Sequence, residues 1–502
     1  MADRPLLCGI DAGTSRIRAV VFDTDGRLVA EAAEPTPTRR LGPGQAEHDP
    51  EALWRTLAGV LRSATGRVDR PERIRGLAIA SMGEAGVLLD GESRPLVPVI
   101  AWYDTRTAPQ LERLIGQVGF GRLHATTGLC PDPTFTLLKL LWLKDTAPEA
   151  FARGRAWLHV SDYLAWRLCG GRATDFSLAS RTMALDIAAG RWCGELLEEA
   201  GVGRTLFQEL APAGTRIGGV TAEAARATGL PEGAAVGVAG HDHVCGALAV
   251  GADRPGVLFD SMGTAEALTL IIGRPSRDPE MGVAGLNQGM IHTGQPVFYV
   301  FGGLPTSAAC VEWFRESQAP GVEHAALIAE AEAVPLGCDG TVFLPHLRIG
   351  SPPYPDPVSR GAFLGISDRT TRAAMYRAVL EGLALDSANI LETMQRLLRV
   401  PAPTRAIAIG GSSRNRLLMR LKASLFGRTI ELADSAESTS LGAAMLGGLA
   451  AGTFPDLDTA RSAMMPAFHG VDPDHGWPAD QRAAVLARYA RIYTTVRGVA
   501  VG

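Results

Sequence analysis

The sequence predicts an α/β protein made of two similar domains that face each other across a cleft. Three observations carry this expectation. Strand-like and helix-like hydrophobic patterns alternate along the chain instead of segregating into blocks. At 502 residues the chain is too long for one core, and two or three ordinary domains account for it. One short pattern, strand then [Asp/Ser]-x-Gly-Thr then strand, occurs twice, at Asp11-Ala12-Gly13-Thr14 and again 250 residues later at Ser261-Met262-Gly263-Thr264.

Taken in order, Leu6–Ile10 and Ile17–Asp23 read as strands joined at Asp11–Ser15. Asp49-Pro50 supplies an N-cap and a proline at the first helical position, and Leu53, Trp54, Leu57, Val60 and Leu61 share one face behind it. Gly76–Ala80 and Ala234–Ala239 are short apolar strands. The second copy of the repeated pattern lies between Val257–Phe259 and the apolar run Ala267–Ile272. Ser351–Pro357 reads as an ordered loop, because proline removes ladder donors. Ala406–Ile409 is a strand, followed by Gly410-Gly411 and a helix with Leu417, Leu418, Leu421 and Leu425 on one face. Val485, Leu486, Tyr489, Ile492, Tyr493 and Val496 trace a final amphipathic helix.

Composition narrows the function. A 46% hydrophobic fraction with only 20% charged residues belongs to a folded protein, and a net charge of −4 without a basic stripe argues against nucleic acid as a partner. Lysine occurs only at 139, 144 and 422 among 49 lysines and arginines, each time after leucine, so no Gly-Lys-Ser/Thr phosphate loop exists. A protein-kinase Val-Ala-Ile-Lys is missing as well. Seven cysteines without a C-x-x-C spacing fit reduced thiols. The chain enters an apolar strand at Leu6 without a signal-peptide pattern, and its longest strongly apolar uncharged stretch, Leu441–Phe454, is too short to span a bilayer. A cytoplasmic protein without a membrane partner is expected.

A tight Gly-Thr turn exposes consecutive backbone N–H groups and a hydroxyl, which cradle an anion without lysine. A carboxylate beside it is useful when a cation accompanies the anion, so Asp11 reads as a holder of Mg²⁺, largely through waters. An ordinary hairpin turn is the bland alternative for either copy. Arg18 is a phosphate contact or a solvated strand arginine. Gly410-Gly411 at a strand-to-helix turn lets backbone approach a ligand, and also serves as plain fold punctuation. Asp242, just after an apolar strand, faces a cleft or caps a helix. His241 and His243 lack a third ligand at zinc spacing, and no H-E-x-x-H, G-x-S-x-G or G-x-G-x-x-G occurs. Met82-Gly83-Glu84 and Trp102-Tyr103-Asp104-Thr105-Arg106 each follow an apolar run. An aromatic face with a carboxylate and a guanidinium suits a polyhydroxyl ligand, while a packed Trp beside a structural Asp–Arg pair is the alternative.

In shared order and spacing these pieces resemble the FGGY carbohydrate kinases of the actin–hexokinase–Hsp70 ATPase superfamily. The resemblance runs through Gly9–Ser15, Glu47–Glu51, Trp102-x-Asp104-x-Arg106, Leu141–Leu143 and Ser161–Leu164. It continues through Thr174–Ser180, Gly240-x-Asp242, Ser261-x-Gly263-Thr264, Gly410-Gly411 with Asn415, and Glu437 with Gly442–Ala444.

The resemblance implies two ribonuclease-H-like domains, 1–250 and 251–502, with ATP between them and a sugar held mostly by the first. It makes Asp11 the Mg²⁺-associated aspartate, and Gly13, Thr14, Ser15 and Arg18 the contacts of the first phosphate hairpin. Gly263 and Thr264 are their counterparts, and Gly410, Gly411 and Asn415 belong to the adenosine side. Asp242 is the catalytic base, with Gly83, Glu84, Trp102, Asp104 and His243 around the sugar. Three departures stand out: Ala423-Ser424 where relatives often have Ala-Asp, Arg18 where many have lysine, and Gly83 where glycerol kinases have arginine. The last turns the expectation from glycerol toward a ketopentose or ketohexose of the xylulose, ribulose or fuculose kind. An actin- or Hsp70-like ATPase and a catalytically weak sugar-binding paralogue are the competing readings. A homodimer is kept as an open partner.

Overall fold

The computed structural model describes residues 4–435, 437–474 and 477–496. Strands β1 (Leu6–Ala12), β2 (Arg16–Asp23), β3 (Leu28–Pro35), β4 (Ile74–Ser81), β5 (Arg216–Gly219) and β6 (Ala235–His241) form one sheet in the order β5-β6-β4-β1-β2-β3. A second sheet holds β7 (Val257–Met262), β8 (Glu266–Ile272), β9 (Asn287–His292), β10 (Pro296–Leu304), β11 (Arg405–Ile409), β12 (Ile430–Ala433) and β13 (Phe468–Val471). Its order is β9-β10-β8-β7-β11-β12-β13.

The two sheets share one strand arrangement, to which β9 adds an outer edge strand in the second. An antiparallel meander (β1-β2-β3, and β7-β8-β10) is extended by two parallel strands (β4 and β6, and β11 and β12) and closed by an antiparallel edge strand. The short sequence echo therefore marks a duplication of whole sheets. Both copies of the Gly-Thr turn occupy the same place, between the first two strands of each meander. Central strands such as β1 and β8 are buried along almost their full length, which is why they read as continuous apolar runs.

The helices that position the site are α1 (Pro50–Thr65), α2 (Thr136–Thr146), α3 (Asp242–Ala249), α4 (Arg372–Leu398), α5 (Arg416–Phe426), α6 (Ser438–Ala450) and α7 (Ala479–Val496). Helix α1 begins as its sequence dictates, with the Asp49 carboxylate accepting from the Glu51 N–H at 2.9 Å and Pro50 in the first turn. Helix α6 comes from the second half of the chain yet packs against β1, β4 and β6 of the first sheet, and against α3. Glycines permit this close approach: a Cβ on Gly9 would lie 1.7 Å from the Ser440 carbonyl oxygen, and one on Gly442 would lie 1.9 Å from that of Cys245. The expected division at 250/251 thus separates the sheets in sequence, while α6 crosses it in space. Among the described residues no helix is long and apolar enough to cross a membrane, and the Leu441–Phe454 stretch is α6 and the turn after it.

Candidate active site

The carboxyl ends of three parallel neighbours bring the first set of groups together. In register, Asp11 of β1 lies beside Ala80 of β4, and Gly240 of β6 lies beside the same Ala80. Beyond these positions the chain delivers Asp11, the Gly83-Glu84 turn and Asp242 to one edge, where ligands gather in such sheets. On the second sheet Ser261 of β7 pairs with Ile409 of β11, which sets the second Gly-Thr turn beside Gly410-Gly411. A Cβ on Gly410 (φ 99°) would meet the Met262 carbonyl at 2.2 Å, whereas one on Gly411 would meet nothing within 4 Å. Glycine is required at the first for packing, and the second faces open space.

Contacts cross between these two edges. The His243 ring, through Nδ1, lies 3.3 Å from the Ser261 hydroxyl, and the Thr439 hydroxyl donates to the Asp242 carbonyl at 3.4 Å. Arg18 is ion-paired with Glu437, at the foot of α6. Asp242 is near enough to Asp11 for its charge to push the Asp11 carboxyl upward.

Asp242 does not cap a helix. His241 occupies the cap position without a side-chain cap bond, and Asp242 is the first residue of α3, where its Oδ1 accepts from the His243 N–H at 2.7 Å. Its side chain is 25% exposed, so one face is open to a substrate. The bend before it is tightly held. The Ser177 hydroxyl accepts from the His241 N–H at 2.9 Å, and Asp175 accepts from the N–H groups of Ser177 and Leu178, each at 2.8 Å. Burial first, then the neighbouring His243, push the His241 imidazole down to about 4 against the pull of Asp242, so it is neutral. Among the described residues no group of three or more His, Cys, Asp or Glu could hold a metal.

Asp11 is a carboxylate whose nearby cation, Arg18, is ion-paired with Glu437 instead. Burial and the charge of Asp242 push it up to about 7 despite Arg18, and its Oδ1 is buried without a hydrogen-bond partner among the described residues. An orphaned carboxylate oxygen beside a second carboxylate fits a hard divalent cation that completes its shell with water and phosphate oxygens. Around it the first turn is closed by the Gly13 N–H donating to the Arg16 carbonyl at 3.1 Å and by the Thr36 hydroxyl donating to the Gly13 carbonyl at 2.7 Å. Ser15 is exposed at the tip, as are Gly263 and Thr264 in the second turn.

Beside this pair of turns lies a second cluster. The Glu84 carboxylate accepts from Arg181 Nε at 2.6 Å, and both side chains are largely buried. Gly83 leaves room here, since a Cβ would lie 3.1 Å from His241 and 3.2 Å from Arg181. Trp102 is 37% exposed and donates through Nε1 to the Thr14 hydroxyl at 2.8 Å, which ties the aromatic face to the first turn.

Three expected contacts have other work. Asp104 is fully buried and accepts from the Ala46 N–H, the Arg106 N–H and the Arg106 guanidinium. Burial alone would raise its pKa, but the Arg106 hydrogen bonds outweigh it and hold Asp104 below the usual carboxylate range. It therefore supports the Trp102 turn and leaves no oxygen for a ligand. Asn415 caps α5, accepting from the Leu418 N–H at 3.1 Å, and Arg18 is paired with Glu437 as described. Sequence reasoning missed Arg181, which stands directly after the quoted Thr174–Ser180 stretch and reaches Glu84 from a distant part of the chain.

Comparison with known proteins places the whole chain in one family. The model of the N-terminal domain of the FGGY family of carbohydrate kinases matches residues 6–249, and that of its C-terminal domain matches residues 259–451. A glycerol kinase of Bordetella parapertussis is 31% identical over 515 residues, covering 99% of this chain and 98% of that protein. A xylulose kinase of Bacillus subtilis is 27% identical over 451 residues, covering 90% and 89%. The crystal structure of xylulose kinase from Rhodospirillum rubrum superposes with a TM-score of 0.89 at 28% identity, covering 98% of this chain and 99% of that one.

Proposed function

The chain belongs to the FGGY family of carbohydrate kinases, and from that premise we propose that it phosphorylates a hydroxyl of a ketopentose or ketohexose with Asp242 as the base. The observation that carries the proposal is the meeting of Asp242 with Asp11 on one sheet edge while its neighbour His243 touches Ser261 of the other. The family implies ATP as the phosphoryl donor. Bound nucleotide and a divalent cation supply the transferable group and neutralise its charge. Asp11 and the orphaned Oδ1 would hold the cation. The turn at Gly13, Thr14 and Ser15 and the turn at Gly263 and Thr264, whose glycine N–H groups close the turns themselves, offer their remaining N–H groups and hydroxyls to phosphate. Glu84, fixed by Arg181, accepts from sugar hydroxyls, and the Trp102 face covers the apolar C–H side of the sugar. Asp242 takes the hydroxyl proton as the new bond to phosphorus forms.

Gly83 supports a ketose, since it withholds the arginine that glycerol kinases carry before this glutamate. The 31% identity to a glycerol kinase supports a second reading, a three-carbon polyol. A coupled ADP-release assay over xylulose, ribulose, fuculose, aldoses and glycerol separates them. The expected result is ATP turnover that rises sharply with one ketose. Turnover indifferent to every sugar and polyol would return the protein to the actin-like ATPases. Asp242→Asn should bind both substrates normally yet lose about 10²-fold or more in kcat, measured by the same assay and by calorimetry.

A further inference from the structure

Two of the three lysines in this arginine-rich chain, Lys139 and Lys422, are completely buried, whereas Lys144 lies on the surface. Lys422 is neutralised inside the second half by Asp260 and Glu266, each at 2.6 Å. Lys139 has no carboxylate in ion-pair contact among the described residues. It stands one turn into α2, and its Nζ donates to two backbone carbonyls, that of Glu84 at 3.2 Å and that of Trp102 at 3.3 Å.

These two carbonyls belong to the two segments placed above against the sugar. The Glu84 turn also needs holding. Glu84 has a positive φ of 57°, and the Ala85 N–H reaches back to the Gly83 carbonyl at 2.5 Å, closing a three-residue turn. A non-glycine residue in this conformation is strained, and it persists only where its surroundings over-determine it. The surroundings here do so. The Glu84 carbonyl receives Lys139 Nζ and the Thr136 hydroxyl at 3.0 Å, while its carboxylate receives Arg181.

From this geometry we propose that Lys139 is a positioning residue for sugar specificity. Its ammonium fixes the Glu84 turn and the Trp102 turn at one separation, and so sets the width of the sugar site. The proposal rests on the reading that Glu84 and Trp102 line that site. A lysine is required because a compact ammonium can point separate hydrogens at two converging carbonyls, whereas a planar guanidinium is built for a bidentate partner and is larger. The charges around it are Glu84, Asp104, Asp132 and Arg106, with His48 behind. Burial pulls Lys139 down to about 7 against the three carboxylates. The cost of burying this cation is offset by a placement that a neutral side chain would not supply.

The test is steady-state kinetics of the full-length enzyme with its best sugar. Lys139→Met should raise the sugar KM about tenfold or more, as expected for a lost charge-assisted hydrogen bond, and should narrow its preference over the C3 or C4 epimer. The KM for ATP should stay within about twofold of wild type, since the nucleotide turns are not touched. Lys139→Arg should not restore the sugar KM. Thr136→Val, which removes the other donor to the same carbonyl without altering charge, should raise the sugar KM in the same direction but less. It carries the test if Lys139→Met does not fold. Folded variants with unchanged sugar KM and epimer preference, or with sugar and ATP parameters falling together, would overturn the proposal. Glu84→Gln is the control. If it leaves the sugar KM unchanged, the underlying assignment of the sugar site is what fails.

Discussion

At the scale of single residues, the proposed base Asp242 is only as good as the bend that aims it. Gly240 precedes His241 and Asp242 with φ of 157°, and a Cβ there would lie 2.6 Å from the Ser177 hydroxyl and 2.7 Å from Asp175 Oδ2. Those two side chains hold the bend, so displacing them moves Asp242. Gly240→Ala should therefore lower kcat by about 10²-fold, the usual consequence of a misplacement near 1 Å, with smaller changes in either KM. Wild-type kcat in this variant would separate the bend from the chemistry. The position of Asp242, though not its role, was legible in the sequence, because a carboxylate directly after a buried parallel strand has few places to go. Trp102-x-Asp104-x-Arg106 was legible only as a cluster. The spacing does not say which side chain turns outward, and the structure gives Asp104 to Arg106 and the open face to Trp102. Arg181 carried no signal at all, because its partner Glu84 is brought to it by the fold.

At the scale of elements, the strands and their turns could be read from continuous apolar runs that end in small or acidic residues. Helix α6 could not be placed. Its Gly/Ala-rich sequence is apolar on all sides, which declares burial without naming a partner. The structure sets it between the first sheet and α3, with backbone against backbone at Gly9, Gly442 and Gly447. A single methyl at Gly442 would strike the Cys245 carbonyl of α3, the helix that begins with Asp242. Gly442→Ala should cost about 1–3 kcal/mol, as overpacking does. Thermal melting should fall while activity per folded molecule also drops. A variant that melts like wild type would show that α6 is free to move. Lys422 supplies the companion case on the second sheet, where it joins α5 to the strands flanking Gly263. Lys422→Met would leave Asp260 and Glu266 facing each other without a cation, a loss of about 3–5 kcal/mol, visible as a lower melting temperature.

At the scale of the whole molecule, buried ionisable groups of two kinds set how stability follows pH. Asp175 is pushed up to about 6, and Asp260 and Asp386 to about 7, in each case chiefly by burial. A carboxyl raised above its unfolded value of about 3.9 favours folding most below that pH, and this contribution is lost as pH rises through the folded pKa. The buried histidines act oppositely. His48, His124, His241 and His346 are all held below the ordinary imidazole value by burial, so their contribution is full above about 6.5 and is lost as pH falls. Between pH 4 and 7 the two sets oppose each other, and the wild-type curve alone cannot separate them. Asp386 can. It lies on α4, accepts from the Tyr489 hydroxyl of α7 at 3.4 Å, and has an Oδ2 with no partner among the described residues. Asparagine fills the same space without a charge to bury. Relative to wild type, Asp386→Asn should gain stability progressively from pH 4 to pH 7 and hold the gain above it. At about 1.4 kcal/mol per pKa unit, the gain is on the order of 1–4 kcal/mol. Melting of both proteins at half-unit steps from pH 4.5 to 8.5 measures it. A difference that stays constant across that range would mean that Asp386 titrates alike in the folded and unfolded chain.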